Sequence, residues 1–271
     1  MLAGVVLVDA GPAALCDGAA LGGYLECPVW ACHLDSGADP SRLAAELAGR
    51  GTGLVLAVVE EHSLVGVLRV IRLLPPGITR LLVGRALSDP RLQRLVKPGE
   101  AEGIVVGEPF LTTRAVVRAL VGADTIDGEV PGLLRPGGAL TPRGPVGNLD
   151  GIPAGRYADL PREVALQVPL RPSRGYPHAC LFSAERVWEA PVRRRSITRV
   201  LQDLRLHVEQ DGATHFRFTD LCLNTSSTWM LELCRGIVDT HLALRWSGRV
   251  WADPRLDRAA VRLMRRSGCR A

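Results

Sequence analysis

Apolar positions in the first 121 residues fall into short runs separated by helical patterns. Gly4–Val8 is a strand-length run, followed by a Gly/Ala-rich turn and a short helix near Ala19–Leu25. Val29–Leu34 predicts a second strand and Ser41–Ala48 a helix. Gly53–Val59 is almost continuously apolar, the pattern of a strand buried on both faces of a parallel sheet. From His62 to Leu73 leucines and valines recur at helical spacing. Thr79–Val83 and Gly103–Val106 predict further strands, and Leu111–Val121 a helix. Alternation of this kind over residues 1–121 predicts an α/β domain with a doubly wound parallel sheet.

The pattern breaks over residues 122–161, which are rich in Gly and Pro and contain turn-marking dipeptides such as Pro136-Gly137. This stretch reads as a linker with a small hairpin around Gly132–Leu140. Alternation resumes over residues 162–271. Strands are expected at Val164–Leu170, His215–Phe218 and Leu242–Trp246, and helices at Ser196–Glu209, Ser227–Val238 and Leu256–Arg266. Three parallel strand–helix units cannot close a barrel. They leave a sheet edge that invites another chain, so either a protein partner completes that edge, the domain is an open sheet, or the chain is a remnant.

Composition narrows the picture. Of 271 residues, 47% are hydrophobic, enough for a sizeable core. Lys97 is the one lysine; arginine in its place, with abundant Ala, Gly, Pro and Leu, suggests a GC-rich bacterial genome. The net charge of +5 is modest, and the clusters Arg193–Arg195 and Arg265–Arg266 lack interleaved aromatics, so no nucleic-acid partner is expected. The longest apolar stretch, Gly53–Val59, is far below the about 20 residues a bilayer needs. With no charged leader before the first strand, a cytoplasmic protein is expected. There, seven scattered cysteines without a C-x-x-C pair read as thiols or metal ligands rather than disulfides, and zinc has little support. There is no P-loop, nucleophile elbow or H-E-x-x-H. Glu60-Glu61-His62 stands at a strand–helix junction, where acidic groups also simply suit a helix N-terminus.

Residues 171–196 read R-P-S-R-G-Y-P-H-A-C-L-F-S-A-E-R-V-W-E-A-P-V-R-R-R-S. This stretch resembles the cluster-binding loop of radical S-adenosylmethionine (SAM) enzymes that carry an N-terminal cobalamin-binding domain. In that family Ser-Arg-Gly precedes C-x-x-x-C-x-x-C, and a tryptophan, a run of arginines and a helix-opening serine follow. Ser173, Arg174, Gly175, Trp188, Arg193–Arg195 and Ser196 match. N-L-D-G-I-P-A-G-R-Y-A-D-L at Asn148–Leu160 resembles the segment entering the barrel, and H-F-R-F-T-D-L-C-L-N at His215–Asn224 its second strand and SAM-contacting loop. L-R-W-S-G-R-V-W at Leu244–Trp251 and M-R-R-S-G-C at Met264–Cys269 fit the third unit. The resemblance implies a Rossmann-like, cobalamin-binding-like domain over 1–121 and a partial radical SAM (β/α) barrel over 162–271.

It also implies three cofactors: a [4Fe–4S] cluster, SAM and cobalamin. The cluster needs three thiolates, soft ligands suited to iron–sulfur chemistry. The three positions here are Tyr176, Cys180 and Ser183, so Cys180 is the one metal ligand kept. Cys222 and His178 are conceivable substitutes. For SAM the resemblance points to Thr219, Asp220 and Asn224. For cobalamin it points to Asp9 and Gly11 at the first strand end, where the cobalt-ligating histidine of some relatives is missing. It also points to Gly107 and Glu108 in V-V-G-E-P, and the Gly18–Gly23 turns offer close backbone approach. Three readings stay open. The first is a non-catalytic accessory protein that binds a cofactor, a peptide or a radical SAM partner, in a natural-product or peptide-modification pathway. The second is a cobalamin- and SAM-dependent methyltransferase-like enzyme with altered cluster ligation, and the third a truncated remnant without activity.

Overall fold

A computed structural model describes residues 2–8, 12–25, 27–34, 39–123, 126, 128–157, 167–177 and 191–270. The chain divides into two compact units, Met1–Val146 with Ile152–Leu160, and Gly147–Gly151 with Pro161–Ala271. Among the described residues no helix is long and apolar enough to cross a membrane.

The first unit contains β1 (Leu2–Val8), α1 (Pro12–Tyr24), β2 (Val29–Leu34), α2 (Pro40–Gly49), β3 (Thr52–Val58) and α3 (Leu64–Leu73). It continues with β4 (Thr79–Val83), α4 (Pro90–Gln93), β5 (Gly103–Val105), α5 (Pro109–Ala123) and β6 (Leu133–Leu134). The strand order is β2-β1-β3-β4-β5-β6, parallel except for β6. Leu54 to Val58 of β3 are all buried, as a central strand covered by helices on both faces requires. The order reverses beside β1, so the crevice beyond the ends of β1 and β3 is where such sheets take ligands.

Helix α1 begins at Pro12, well before the predicted start. Its small residues hid it: Ala14, Cys16, Ala19 and Ala20 are all buried, so no polar face marks the period. Gly18, Gly22 and Gly23 therefore stand in a helix, not in ligand-approaching turns. A Cβ on Gly23 would sit 3.0 Å from Pro153 Cγ, so its bareness serves packing of the 152–157 segment. The hairpin expected near Gly132–Leu140 supplies β6, held by Val106 N–H to Gly132 O at 2.8 Å and Gly132 N–H to Thr141 O at 2.8 Å.

The second unit carries β7 (Gln167–Leu170), β8 (Ser173–Arg174), β9 (Arg193–Arg194), α6 (Ile197–Asp211), β10 (His215–Phe218), α7 (Ser227–Asp239), β11 (Arg245–Gly248) and α8 (Arg258–Arg266). β7, β10 and β11 form a parallel sheet in the order β11-β10-β7, while β8 and β9 pair antiparallel. Phe216 and Phe218 alternate inward from exposed His215 and Arg217, and Phe218 packs on Trp246 with ring centroids 5.2 Å apart. Ser196, Ser226 and Asp257 cap α6, α7 and α8 by accepting from backbone N–H groups. β11 starts at Arg245, later than its hydrophobic pattern suggests, because Leu242 and Leu244 belong to the turn leading into it. Beyond β10, the described partner of β11 is a single parallel bridge between Trp246 and Cys269.

Candidate functional site

In the second unit the parallel strands end together, and the groups with chemistry gather at those ends. Asp220 follows β10 and is 2% exposed. Its Oδ1 accepts from the Ser173 backbone N–H at 2.6 Å and from the Ser173 hydroxyl. Oδ2 is buried and has no hydrogen-bond partner among the described residues. Burial pushes this carboxyl up to about 6, against the pull of the Ser173 hydrogen bonds and of Arg171. Thr219 is buried beside it and turns back to β7, its hydroxyl donating to Leu170 O at 3.2 Å.

Ser173 opens the stretch 173–177, and Gly175 in it has φ +103°, a backbone that favours glycine. The returning arm is fixed as firmly. Arg195 N–H donates to Pro172 O at 2.9 Å, Trp229 Nε1–H donates to Arg195 O at 3.1 Å, and Arg194 donates to the Thr225 hydroxyl at 2.7 Å. The Arg195 guanidinium pairs with buried Asp203 of α6, which also faces Arg199 at 3.0 Å. Burial pushes the Asp203 carboxyl up while Arg195 and Arg199 pull it down. Both arms of the loop thus stand on buried polar anchors. Arg195 belongs to the arginine run that matches the family loop, whereas its partner Asp203 was not singled out in the sequence. The signal was there, since Asp203 falls on the apolar face with Val200, Leu204 and His207.

Asn224 is buried after β10, but its amide is engaged with the main chain of Trp251. Nδ2 donates to Trp251 O at 2.9 Å, and Oδ1 accepts from Trp251 N–H at 2.7 Å. Asn224→Ala should therefore cost about 1–2 kcal/mol, read as a lowered thermal midpoint, because a two-way side-chain clamp is lost. Cys222 also donates to Asn224 Oδ1, at 3.2 Å, and burial raises its thiol. In this structure the thiol is therefore held in its protonated form and engaged with Asn224.

Tyr176, which the sequence resemblance sets at the first cluster position, is half-buried. Cys180, Ser183, His178 and Trp188 lie outside the described residues, as do Asp9 and Gly11 of the first unit. Among the described residues no group of three or more His, Cys, Asp and Glu could hold a metal ion. In the first unit, Gly107 follows β5 with φ +91° and open space where a Cβ would be. Glu108 accepts from the Val146 N–H at 2.8 Å and so ties the chain back to this strand end. Glu60 to His62 form the turn after β3, where the Ser63 hydroxyl accepts from Glu60 N–H at 2.9 Å.

The chain superposes on a TsrM from Kitasatospora setae, described as a radical SAM methyltransferase with cobalamin and a [4Fe–4S] cluster bound. The TM-score is 0.77 at 18% identity, over 99% of this chain and 57% of that one. A second TsrM structure, with its tryptophan substrate and a SAM analogue bound, gives 0.75 at 19% identity over 99% and 58%. The fold is that of the cobalamin-dependent radical SAM methyltransferases. OxsB, a cobalamin-dependent SAM radical enzyme, aligns at 0.69 and 13% identity over 99% of this chain and 42% of its own. The chain thus spans a little over half the length of the TsrM structures. No family model and no curated protein matches it in sequence.

Proposed function

We propose that this chain is a non-catalytic, accessory protein built on the radical SAM methyltransferase fold, holding small-molecule cofactors without a [4Fe–4S] cluster. The observation that carries the reading is Tyr176. Its phenol is a hard, bulky oxygen donor in place of a soft thiolate. With Ser183 at the third position, Cys180 is left as the one thiolate of the motif, a donor set that does not fit a three-thiolate cluster. No step through a cluster is therefore assigned to this chain.

The other two cofactors fit the residues present. Asp220 Oδ2 is a buried acceptor without a hydrogen-bond partner among the described residues, the group that would receive the ammonium of SAM. In the first unit, the crevice beside β1 and β3 would take cobalamin, with Gly107 bare at the end of β5 in the same sheet. Cobalamin, when bound, supplies a methyl carrier. The arrangement of a Rossmann-like unit followed by a partial barrel belongs to this proposal. So does a protein partner at the β11 edge, in a natural-product or peptide-modification pathway.

A second reading, an enzyme with altered cluster ligation, draws on the loop base, which is built as if to hold something. Iron and sulfide per chain after anaerobic reconstitution decide between the two, with Tyr176→Cys/Ser183→Cys alongside. Wild type is expected to stay empty while the double variant gains about four irons per chain. A stable cluster on wild type would move the enzyme reading to first place.

A further inference from the structure

A separate recess lies at the other end of the three-stranded sheet, where β10 and β11 begin. It encloses about 690 Å3 between the end of α7, the approach to β11 and the segment that follows α8. Six groups on its lining carry or can carry positive charge: His215, His241, Arg245, Arg265, Arg266 and Arg270. Among the described residues no aspartate or glutamate lines it. None of its four arginines is ion-paired with a carboxylate among the described residues, whereas Arg195, Arg199, Arg205 and Arg255 of the same unit all are. All four guanidinium side chains are exposed.

Helix geometry explains part of this. Arg265 and Arg266 close the last turn of α8, where cations complement the helix dipole. It does not explain Arg245 at the start of a strand, Arg270 beyond the helix, or His215 opening β10. His241 follows the C-cap of α7 with φ +56°, a position that glycine ordinarily fills, and lines the recess instead. Like charges gathered in a concave site repel one another and focus a positive potential into it. The four-residue strands set this recess about 13 Å from the Asp220 end of the sheet, so it is not part of the site described above.

We propose that this recess binds a small organic anion bearing a diphosphate or triphosphate group. Arginine forks match phosphate oxygens two at a time, which a scattered solvated surface does not require. The volume lies within the about 300–1,000 Å3 typical of small-molecule sites. Ile237, Leu242 and Leu244 give the recess an apolar wall against which a base or aliphatic body can rest. A recess of this size favours a compact ligand over an extended acidic polypeptide, which would need a longer track.

The test is calorimetric titration of the full chain at low salt with inorganic pyrophosphate and with ADP, without SAM or cobalamin. Saturable one-to-one binding is expected, weakening as salt is raised. Arg265→Glu/Arg266→Glu, and separately Arg245→Gln, should each weaken it about tenfold or more, as loss of charge-assisted hydrogen bonds implies. Arg258→Glu/Arg262→Glu, on exposed positions of the same helix outside the recess, should leave it unchanged. Circular dichroism and melting confirm folding, and Arg245→Gln, which removes charge without adding any, carries the test if the reversals disturb α8. Absence of saturable binding for both probes would overturn the proposal, as would an equal loss in the Arg258/Arg262 pair. A polyglutamate peptide that binds and is not displaced by pyrophosphate would assign the recess to an acidic polypeptide instead.

Discussion

Arg195→Ala is expected to destabilise the second unit by about 3–5 kcal/mol, the cost of stranding one member of a buried ion pair. Asp203, the partner left behind, is 5% exposed, and Arg195 itself is 9% exposed. Arg199 remains near Asp203 at 3.0 Å and offsets part of the loss. The Arg195 main chain adds a geometric consequence, because its N–H bonds Pro172 O and its carbonyl receives the Trp229 indole. A shift there is transmitted to the 171–177 segment and to α7. Urea unfolding should show a lower midpoint at unchanged slope. Arg195→Leu/Asp203→Leu should recover much of the stability, since an apolar pair of similar size carries no desolvation cost. A loss below about 1 kcal/mol for Arg195→Ala would mean that the pair behaves as a solvated surface contact.

The strands were easier to read in the sequence than what joins them. Gly53–Val59 is apolar at every position but the first because both faces of β3 are covered, and Thr79–Val83 was found to the residue. The start of α1 was missed because its alanines and glycines carry no amphipathic signal, a consequence of a helix packed on several sides by small residues. The candidate site was legible as residue identities but not as bonds. Ser173 and Asp220 were both singled out, yet 47 positions of separation hid that one holds the other. Asn224 was read as a ligand group, and only the packing of the 251 segment reveals its engagement with Trp251. Glu108, similarly, is committed to Val146. A side chain's type predicts what it can bond, while tertiary contacts decide which bond it makes.

Asp220→Asn is expected to flatten the dependence of stability on pH between about pH 4 and about pH 7. The wild-type carboxyl, ordinarily near 3.8, sits at about 6 because burial penalises its charge. The native state therefore holds that proton more tightly than the unfolded chain does. The resulting stability is fully present below the ordinary value and is lost as pH rises through 6, a change of about 3 kcal/mol. Asparagine does not titrate, and its Oδ1 can still accept from both Ser173 donors. At neutral pH the variant should be at least as stable as wild type. If its profile instead falls in parallel with wild type, another group governs the window. The same physics gives the ligand reading a second readout. Above pH 6 wild-type Asp220 is an anion whose Oδ2 lacks a hydrogen-bond partner among the described residues, which an ammonium-bearing ligand would offset. SAM should then raise the wild-type midpoint at neutral pH, raise it less at about pH 5 where the carboxyl is already protonated, and leave Asp220→Asn little changed. Equal stabilisation of both proteins at both pH values would remove Asp220 from the SAM site.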